Sequence, residues 1–481
     1  MPSTAQDCTK AADGKMCCAK KCADTSIPAL KGISMQTDRR VISYILPKRI
    51  MWKQSTGGST MENEDILLKN NYGQTALGGI SFCHLKNGKG GMNSMLFDFG
   101  AELQGGIQVV TGGAPANKVR LRVRFGESAS EAMCEIDGKN GATNDHALRD
   151  FILEIPGMGI AECGNSGFRF VRIDVLGDDT DLQLQEVRAA FRYRDIPYLG
   201  SFECDNERLN KIWMTGAYTV HLNMQQFLWD GIKRDRLVWT GDINPEVLTI
   251  ASVFGANDVV NKSLDLSKEN FKPTQWMCTL SSYSIWWMIT HYQWYLYTGN
   301  RKYLDEQKDY VTELLGVLMK YVDDKGYEKL DARFLDWPSS ENQKGVDAGL
   351  QALMAIAFDS GAKLETIWGN TELAKKCSDL AAKMKKCRRD FNGSKQAASL
   401  NAMAGMISPE KAAKKTILVG GAKDFSTFYG YYMLEALAMA GYYTEAMDIM
   451  SQYWGAMLDL GATTFWEDFN LDWTKNAARI D

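Results

Sequence analysis

The chain has 481 residues and a formal net charge of −4, with 45% hydrophobic and 24% charged residues. That length implies two or more domains with ordinary cores, and the absence of a basic tract argues against nucleic acid as a partner. Eleven Cys and four His show no paired metal-ligand spacing, and no Gly-x-Ser-x-Gly turn is present, so a His-based zinc site and a serine triad are disfavoured and the available catalysts are carboxylates.

In chain order, residues 1–30 read as an unstructured tail with Cys8, Cys17, Cys18 and Cys22 crowded into it. Met1 to Lys21 lacks the apolar core of a signal peptide. The expected location is cytoplasmic if this N-terminus is native, and periplasmic or secreted if a leader has been removed. No apolar run reaches the roughly 18 residues a membrane span needs. Residues 31–200 read as β structure. Val41–Leu46, Lys118–Phe125 and Phe168–Val175 carry strand signals, the last two with apolar and charged residues alternating. Gly105-Gly106 and Gly112-Gly113 are expected to separate strands. Short strands between turn signals predict an antiparallel β-sandwich.

Past Asp205 the periodicity becomes helical. Helices are predicted over 206–227, 246–267, 281–297, 302–322, 345–366, 371–389, 408–418, 426–440 and 443–459. Helices joined by short loops, with no strict repeat, predict a barrel of helical hairpins over 201–481. The aromatic stripe Tyr283, Trp286, Trp287, Tyr292, Trp294, Tyr295 and Tyr297 is read mostly as helix core, with the remaining rings open to lining the mouth of a sugar pocket.

The chemistry concentrates in Trp229-Asp-Gly-Ile-Lys-Arg-Asp-Arg-Leu-Val-Trp-Thr-Gly-Asp242. Three carboxylates, three cations and two Trp follow neither helical nor strand periodicity. A solvated helix would not hold two Trp, and a buried one would not hold six charges. The mixture suits a polar pocket with aromatic walls. Trp lies against the C–H face of a sugar, while Asp and Arg make charge-assisted hydrogen bonds to its hydroxyls. A structural ion-pair network at a domain seam is the plainer alternative.

This stretch resembles the signature of bacterial α-L-rhamnosidases, glycoside hydrolase family 78, roughly Asp-x-Pro-x-Arg-x-Glu-Arg-x-x-Trp-x-Gly-Asp. Other landmarks agree in order. Leu96-Phe-Asp-Phe-Gly100 and Phe125-Gly-Glu-Ser128 resemble the family's β-domain. Phe168-Arg-Phe170 and Gly200-Ser-Phe202 resemble its last strand and the lead-in to its barrel. Leu335-Asp336-Trp337 resembles its Asp-Trp loop, and Gly461-Ala-Thr-Thr-Phe-Trp-Glu467 the segment carrying the catalytic base.

The resemblance implies an N-terminal antiparallel β-sandwich followed by an (α/α)6 barrel. With about ten helices predicted where six hairpins need twelve, that barrel is expected to be incomplete at its C-terminal end. It implies removal of terminal α-L-rhamnose from an oligosaccharide or glycoside by an inverting mechanism, with no cofactor and no metal. Inversion needs two carboxyl groups roughly 6.5–9.5 Å apart. The resemblance puts Asp235 at the general acid and Glu467 at the general base. It assigns Asp230, Arg234, Asp242 and Asp336 to sugar hydroxyls and Trp239 and Trp337 to the pocket walls. The signature departs from the family in being one residue short, with Gly231-Ile232 for Cys-Pro and Asp235 for Glu. Arg234 and Arg236 flank that acid, and cations lower a carboxyl pKa where a general acid needs it raised. Burial, or arginines that point elsewhere, must offset this; otherwise Asp242 or Glu246 is the better acid. A different sugar specificity and a non-catalytic sugar-binding protein are the other two readings. For Glu467 the structural alternative is a cap on the next turn.

Overall fold

A computed structural model describes residues 27–31, 38–70, 72–113, 118–136, 143–144 and 147–474. Nearly all of the cysteine-rich tail expected over 1–30 lies outside those residues. Residues 1–40 make up one unit. Its described part holds the 3-10 turn Pro28–Leu30 and the ion pair between Asp38 and Arg40, 2.7 Å. Residues 41–481 make up the other.

The second unit begins with β structure. The strands are β1 (Arg40–Ile45), β2 (Arg49–Ser55), β3 (Thr60–Glu62), β4 (Cys83–Lys86), β5 (Asn93–Thr111), β6 (Val119–Gly126), β7 (Asp150–Ile155), β8 (Gly159–Leu176) and β9 (Asp181–Arg194), with a short helix α1 (Ala129–Met133) after β6. Hydrogen bonding follows the order β3-β4-β9-β5-β8-β6-β7, with β2 on β5 and β1 on β9. The first half of β5 pairs β2 through Arg49↔Asp98, and its second half pairs β9 through Gly105↔Phe191, so the strand passes from one neighbour to another. This bends the sheet into a sandwich over one core. Phe97, Ile107, Leu121, Val123, Val171, Ile173, Leu184 and Val187 all lie in that core.

Gly105 and Gly106 do not separate strands. They lie inside β5, where the register shifts between Gly105 and Ile107. Gly105 has φ +147°, and a Cβ there would come within 2.0 Å of the Ala190 carbonyl oxygen. A bulge at glycine bends a strand without ending it, which is why β5, β8 and β9 run to 19, 18 and 14 residues instead of the short strands expected. Gly112 and Gly113 do follow the end of β5. The alternation read in Val119–Phe125 holds for Leu121 and Val123. Arg124 is also buried and is neutralised by Asp174 at 2.6 Å.

The helices are α2 (Glu207–Asn223), α3 (Ile243–Val253), α4 (Asp258–Asn270), α5 (Ser281–Thr298), α6 (Arg301–Asp305), α7 (Lys308–Met319), α8 (Gln343–Ile367), α9 (Thr371–Met384), α10 (Lys395–Met403), α11 (Pro409–Ala412), α12 (Gly430–Met439) and α13 (Tyr443–Asp459). The helix expected over 246–267 is two, because Gly255 takes φ +72° just past α3 and Asn257 caps α4 through the Val259 N–H. The sequence reading also missed α10. Helix α9 shows why these segments fold against neighbours. Ala374, Cys377, Ala381 and Met384 form its buried stripe at helical spacing, and it packs on α8. Around the domain α3 contacts α5, α5 contacts α8, α8 contacts α10, α10 contacts α12, α12 contacts α13 and α13 contacts α2. The first and last helices are tied by Arg208, whose guanidinium reaches both carboxylate oxygens of Asp459 at 2.7 Å. The architecture is a β-sandwich followed by a helical barrel. Among the described residues no helix is long and apolar enough to cross a membrane.

Candidate active site

The loop between α2 and α3 carries most of the chemistry. The Leu237 N–H donates to Oδ1 of Asp230 at 2.8 Å, and the Asp230 N–H donates to the Leu237 carbonyl at 3.1 Å, closing the intervening residues into a compact turn. Inside it the Arg236 N–H donates to the Arg234 carbonyl at 2.6 Å, a three-residue turn centred on Asp235. Asp235 and Arg236 both take positive φ, +52° and +56°. Non-glycine residues held there cost on the order of 1 kcal/mol or more each and persist only where their surroundings impose it. Trp239 imposes part of it, its indole N–H donating to Oδ2 of Asp235 at 3.2 Å. Arg236 donates to the Asn165 carbonyl on β8 at 2.7 Å. Arg234 is half exposed, with Nε 3.9 Å from Asp235.

Asp242 ends the loop. The Tyr283 hydroxyl of α5 donates to it at 2.9 Å. This contact depends on Gly241, where a Cβ would come within 2.3 Å of the Tyr283 ring. Glu246 lies one turn further along α3 and accepts from the Asn223 amide at 3.3 Å. From the segment between α7 and α8 comes Asp336, 3% exposed, which accepts from Ser426 at 2.5 Å and Gln396 at 3.1 Å. Trp337 next to it is 67% exposed and meets Phe334 edge-on at 4.9 Å. Glu467 lies exposed in the segment after α13. The 3-10 turn Leu471–Thr474 that follows is capped by Asn470, whose side chain accepts from the Asp472 N–H at 2.9 Å.

These carboxylates feel one another. Burial pushes the Asp230 carboxyl up to about 7. The Leu237 N–H opposes that rise, and the charges of Asp235 and Glu467 add to it. Burial likewise pushes Asp242 up to about 8, against the Tyr283 hydrogen bond and with further repulsion from Asp230, Glu467 and Asp336. Glu246 is held well above the usual carboxylate range by burial and by Asp242. Asp336 rises to about 6 through burial, against its bonds to Ser426 and Gln396, with Asp468 adding repulsion. Carboxyls crowded into one partly dry pocket share protons at neutral pH. Among the described residues no group of three or more His, Cys, Asp or Glu is arranged to hold a metal ion.

The charges of Asp235 and Glu467 thus act on Asp230, and those of Asp230, Glu467 and Asp336 on Asp242, with Trp239 hydrogen-bonded to Asp235. Trp337 stands on an exposed surface, and Asp336 is committed to two protein donors. The aromatic stripe is mostly core, with Trp286, Trp287 and Trp294 buried. Tyr283 is the member that reaches the site. The sequence reading left some rings of the stripe open to the pocket without singling out Tyr283, and it missed Cys278, whose thiol is 3.5 Å from the Thr240 hydroxyl and is pushed up mainly by burial, with Asp242 and Asp230 contributing. The only sequence signal for Tyr283 was its place near the start of a helix otherwise rich in apolar aromatics.

Residues 197–479 match the family model described as the bacterial alpha-L-rhamnosidase 6 hairpin glycosidase domain. No curated protein matches the chain. A rhamnosidase from Klebsiella oxytoca with rhamnose bound shares the fold with a TM-score of 0.73 at 17% identity, over 92% of this chain and 92% of that one. The family 78 rhamnosidase of Bacillus sp. GL1 does so with a TM-score of 0.69 at 21% identity, over 87% of this chain and 46% of that one. The α-L-rhamnosidase from Dictyoglumus thermophilum gives 0.62 at 20% identity, over 78% and 47%. At these identities the likeness is one of fold, and this chain spans less than half the length of the last two. The family match covers more than half of the sequence, and the chain belongs to the bacterial α-L-rhamnosidase family of six-hairpin glycosidases.

Proposed function

We propose that this chain hydrolyses terminal α-L-rhamnosides by a single inverting displacement. The observation that supports the reading is that the charges of both Asp235 and Glu467 act on Asp230, as carboxyls from two distant parts of the chain facing one pocket would do. Inverting chemistry needs such a pair, with room for a water between the base and the sugar. Asp235 gives its proton to the glycosidic oxygen as the bond to the anomeric carbon breaks. Glu467 takes a proton from water as its oxygen attacks the opposite face, and the released sugar has inverted configuration. Asp230, Arg234, Asp242 and Asp336 hold hydroxyls in this reading, and Trp239 and Trp337 wall the pocket. The rhamnose bound in the Klebsiella relative supports rhamnose as the sugar.

A second reading has one observation in its favour. The carboxyl held near 7, where a general acid is best poised, is Asp230. Asp230 then delivers the proton, and Asp235 orients the sugar.

The test uses p-nitrophenyl α-L-rhamnoside and a rhamnosyl disaccharide with Asp235→Asn, Asp230→Asn and Glu467→Gln. Nitrophenolate leaves with little protonation, so loss of the acid spares the aryl substrate and stops disaccharide hydrolysis. Asp235→Asn is expected to give that split, and Asp230→Asn giving it instead establishes the second reading. Glu467→Gln stops both while rhamnose binding by calorimetry persists; unchanged turnover in that variant rejects it as base. NMR of the wild-type reaction shows the β-anomer first, and the α-anomer first would overturn inversion.

A further inference from the structure

The β-sandwich reaches both segments that carry the proposed acid and base. On the acid side, Lys233 lies between Glu131 and Glu127, 2.8 and 3.5 Å away, and Arg236 is bonded to the Asn165 carbonyl. Gly167 on β8 is so close to this loop that a Cβ would come 2.8 Å from Ile232 and 3.0 Å from Lys233. On the base side, the Thr463 hydroxyl accepts from the Glu102 N–H at 2.9 Å. Arg169 of β8, held in a two-point pair by Asp98, donates to the Gly461 carbonyl at 3.0 Å.

Glu102 of β5 stands between the two anchors. Its side chain is buried, and Oε1 has no hydrogen-bond partner. Its carboxyl senses the cation of each anchor, Lys233 and Arg169, along with the negative charges of Glu127 and Glu131. Its own backbone is held at both ends, its N–H by Thr463 of the base segment and its carbonyl by the Tyr218 hydroxyl of α2 at 2.6 Å. Movement of Lys233 would leave the buried Glu131 without this cation, and movement of Arg169 would release the Gly461 carbonyl, which limits the arrangements open to each anchor.

We infer that Glu102, Lys233 and Arg169 are positioning residues, through which the β-sandwich couples the acid loop 230–236 to the base segment 461–467 and sets their separation. None of the three touches the sugar. The inference deepens the proposed function and rests on it for the roles of the two segments, but the coupling itself is a property of the fold. A displacement of about 1 Å at such a pair lowers turnover by up to about a hundredfold.

The experiment is hydrogen–deuterium exchange by mass spectrometry on the full chain, with p-nitrophenyl α-L-rhamnoside kinetics in parallel. Lys233→Met, at the acid-side anchor, is expected to raise exchange in 461–467 as well as in 230–236. Arg169→Met raises it in 230–236 as well as in 461–467, and Glu102→Ala raises both. kcat falls about 10- to 100-fold while KM stays within about threefold, and Lys233→Arg recovers most of the loss. Exchange confined to the segment nearest each substitution overturns the coupling. So does a kcat that is unchanged in variants whose exchange has risen in both segments. The exchange arm decides the coupling even in a wild type that hydrolyses no rhamnoside, an outcome that would sink the proposed function alone.

Discussion

The Tyr283 hydroxyl donates a 2.9 Å hydrogen bond to Oδ1 of Asp242, joining α5 to the end of the loop that carries Asp230 and Asp235. The bond favours the charged form of a carboxyl that burial pushes towards neutrality. Tyr283→Phe therefore raises the Asp242 pKa further and leaves a half-buried oxygen short of a donor. The expected cost is about 1–2 kcal/mol of stability, read from denaturant midpoints with an unchanged slope. No loss would mean that water replaces the hydroxyl.

The raised carboxyls make stability depend on pH with a definite sign. Asp230 and Asp242 titrate near 7 and 8 in the folded chain, against about 3.9 when unfolded. Between those values the folded state holds protons that the unfolded state has lost. Stability contributed by these groups is therefore full below about pH 4 and falls as pH rises to about 8. Asp242→Asn cannot ionise and removes its share of that slope. Its melting temperature is expected to exceed that of the wild type at pH 8 but not at pH 4. An equal difference at both pH values would show that Asp242 is already ionised in the fold.

Arg124 and Asp174 form a pair buried in the β-sandwich, 1% and 2% exposed. Arg124→Met leaves Asp174 with Arg172 at 2.8 Å but without its closest cation. Breaking a buried pair from one side costs about 3–5 kcal/mol, and Arg172 puts this case near about 3 kcal/mol. A thermal melt showing less than about 1 kcal/mol would mean that the pair is hydrated.

Trp337 is exposed and rests on Phe334. Trp337→Ala is expected to change stability by less than about 0.5 kcal/mol, as surface substitutions do. As a pocket wall under the proposed function, its loss raises KM for p-nitrophenyl α-L-rhamnoside about fivefold, close to 1 kcal/mol of binding. An unchanged KM would remove Trp337 from the pocket.

How much of this was legible before the structure depends on how local each cause is. The change from β to helical pattern near residue 205 was legible, because side-chain periodicity follows directly from backbone geometry. The fourteen residues from Trp229 to Asp242 stood out because no regular element tolerates six charges and two indoles together. Gly299 ends α5 in the left-handed conformation that glycine favours. Gly105-Gly106 misled, because a glycine pair serves a break and a bulge equally well, and only the pairing of β5 with β8 and β9 distinguishes them.

By itself the sequence determined where β structure gives way to helices, where the apolar faces lie, and which residues can do acid–base chemistry. The tertiary structure alone decided that the charge of Glu467 acts on Asp230, that the Tyr283 hydroxyl donates to Asp242, and that Arg236 donates to the Asn165 carbonyl on β8. It also decided that the β-sandwich grips both segments. Those relations arise from burial and charge between parts of the chain distant in sequence. No local pattern encodes such distances, because they exist only once the helices and strands have packed and the two cores have excluded water.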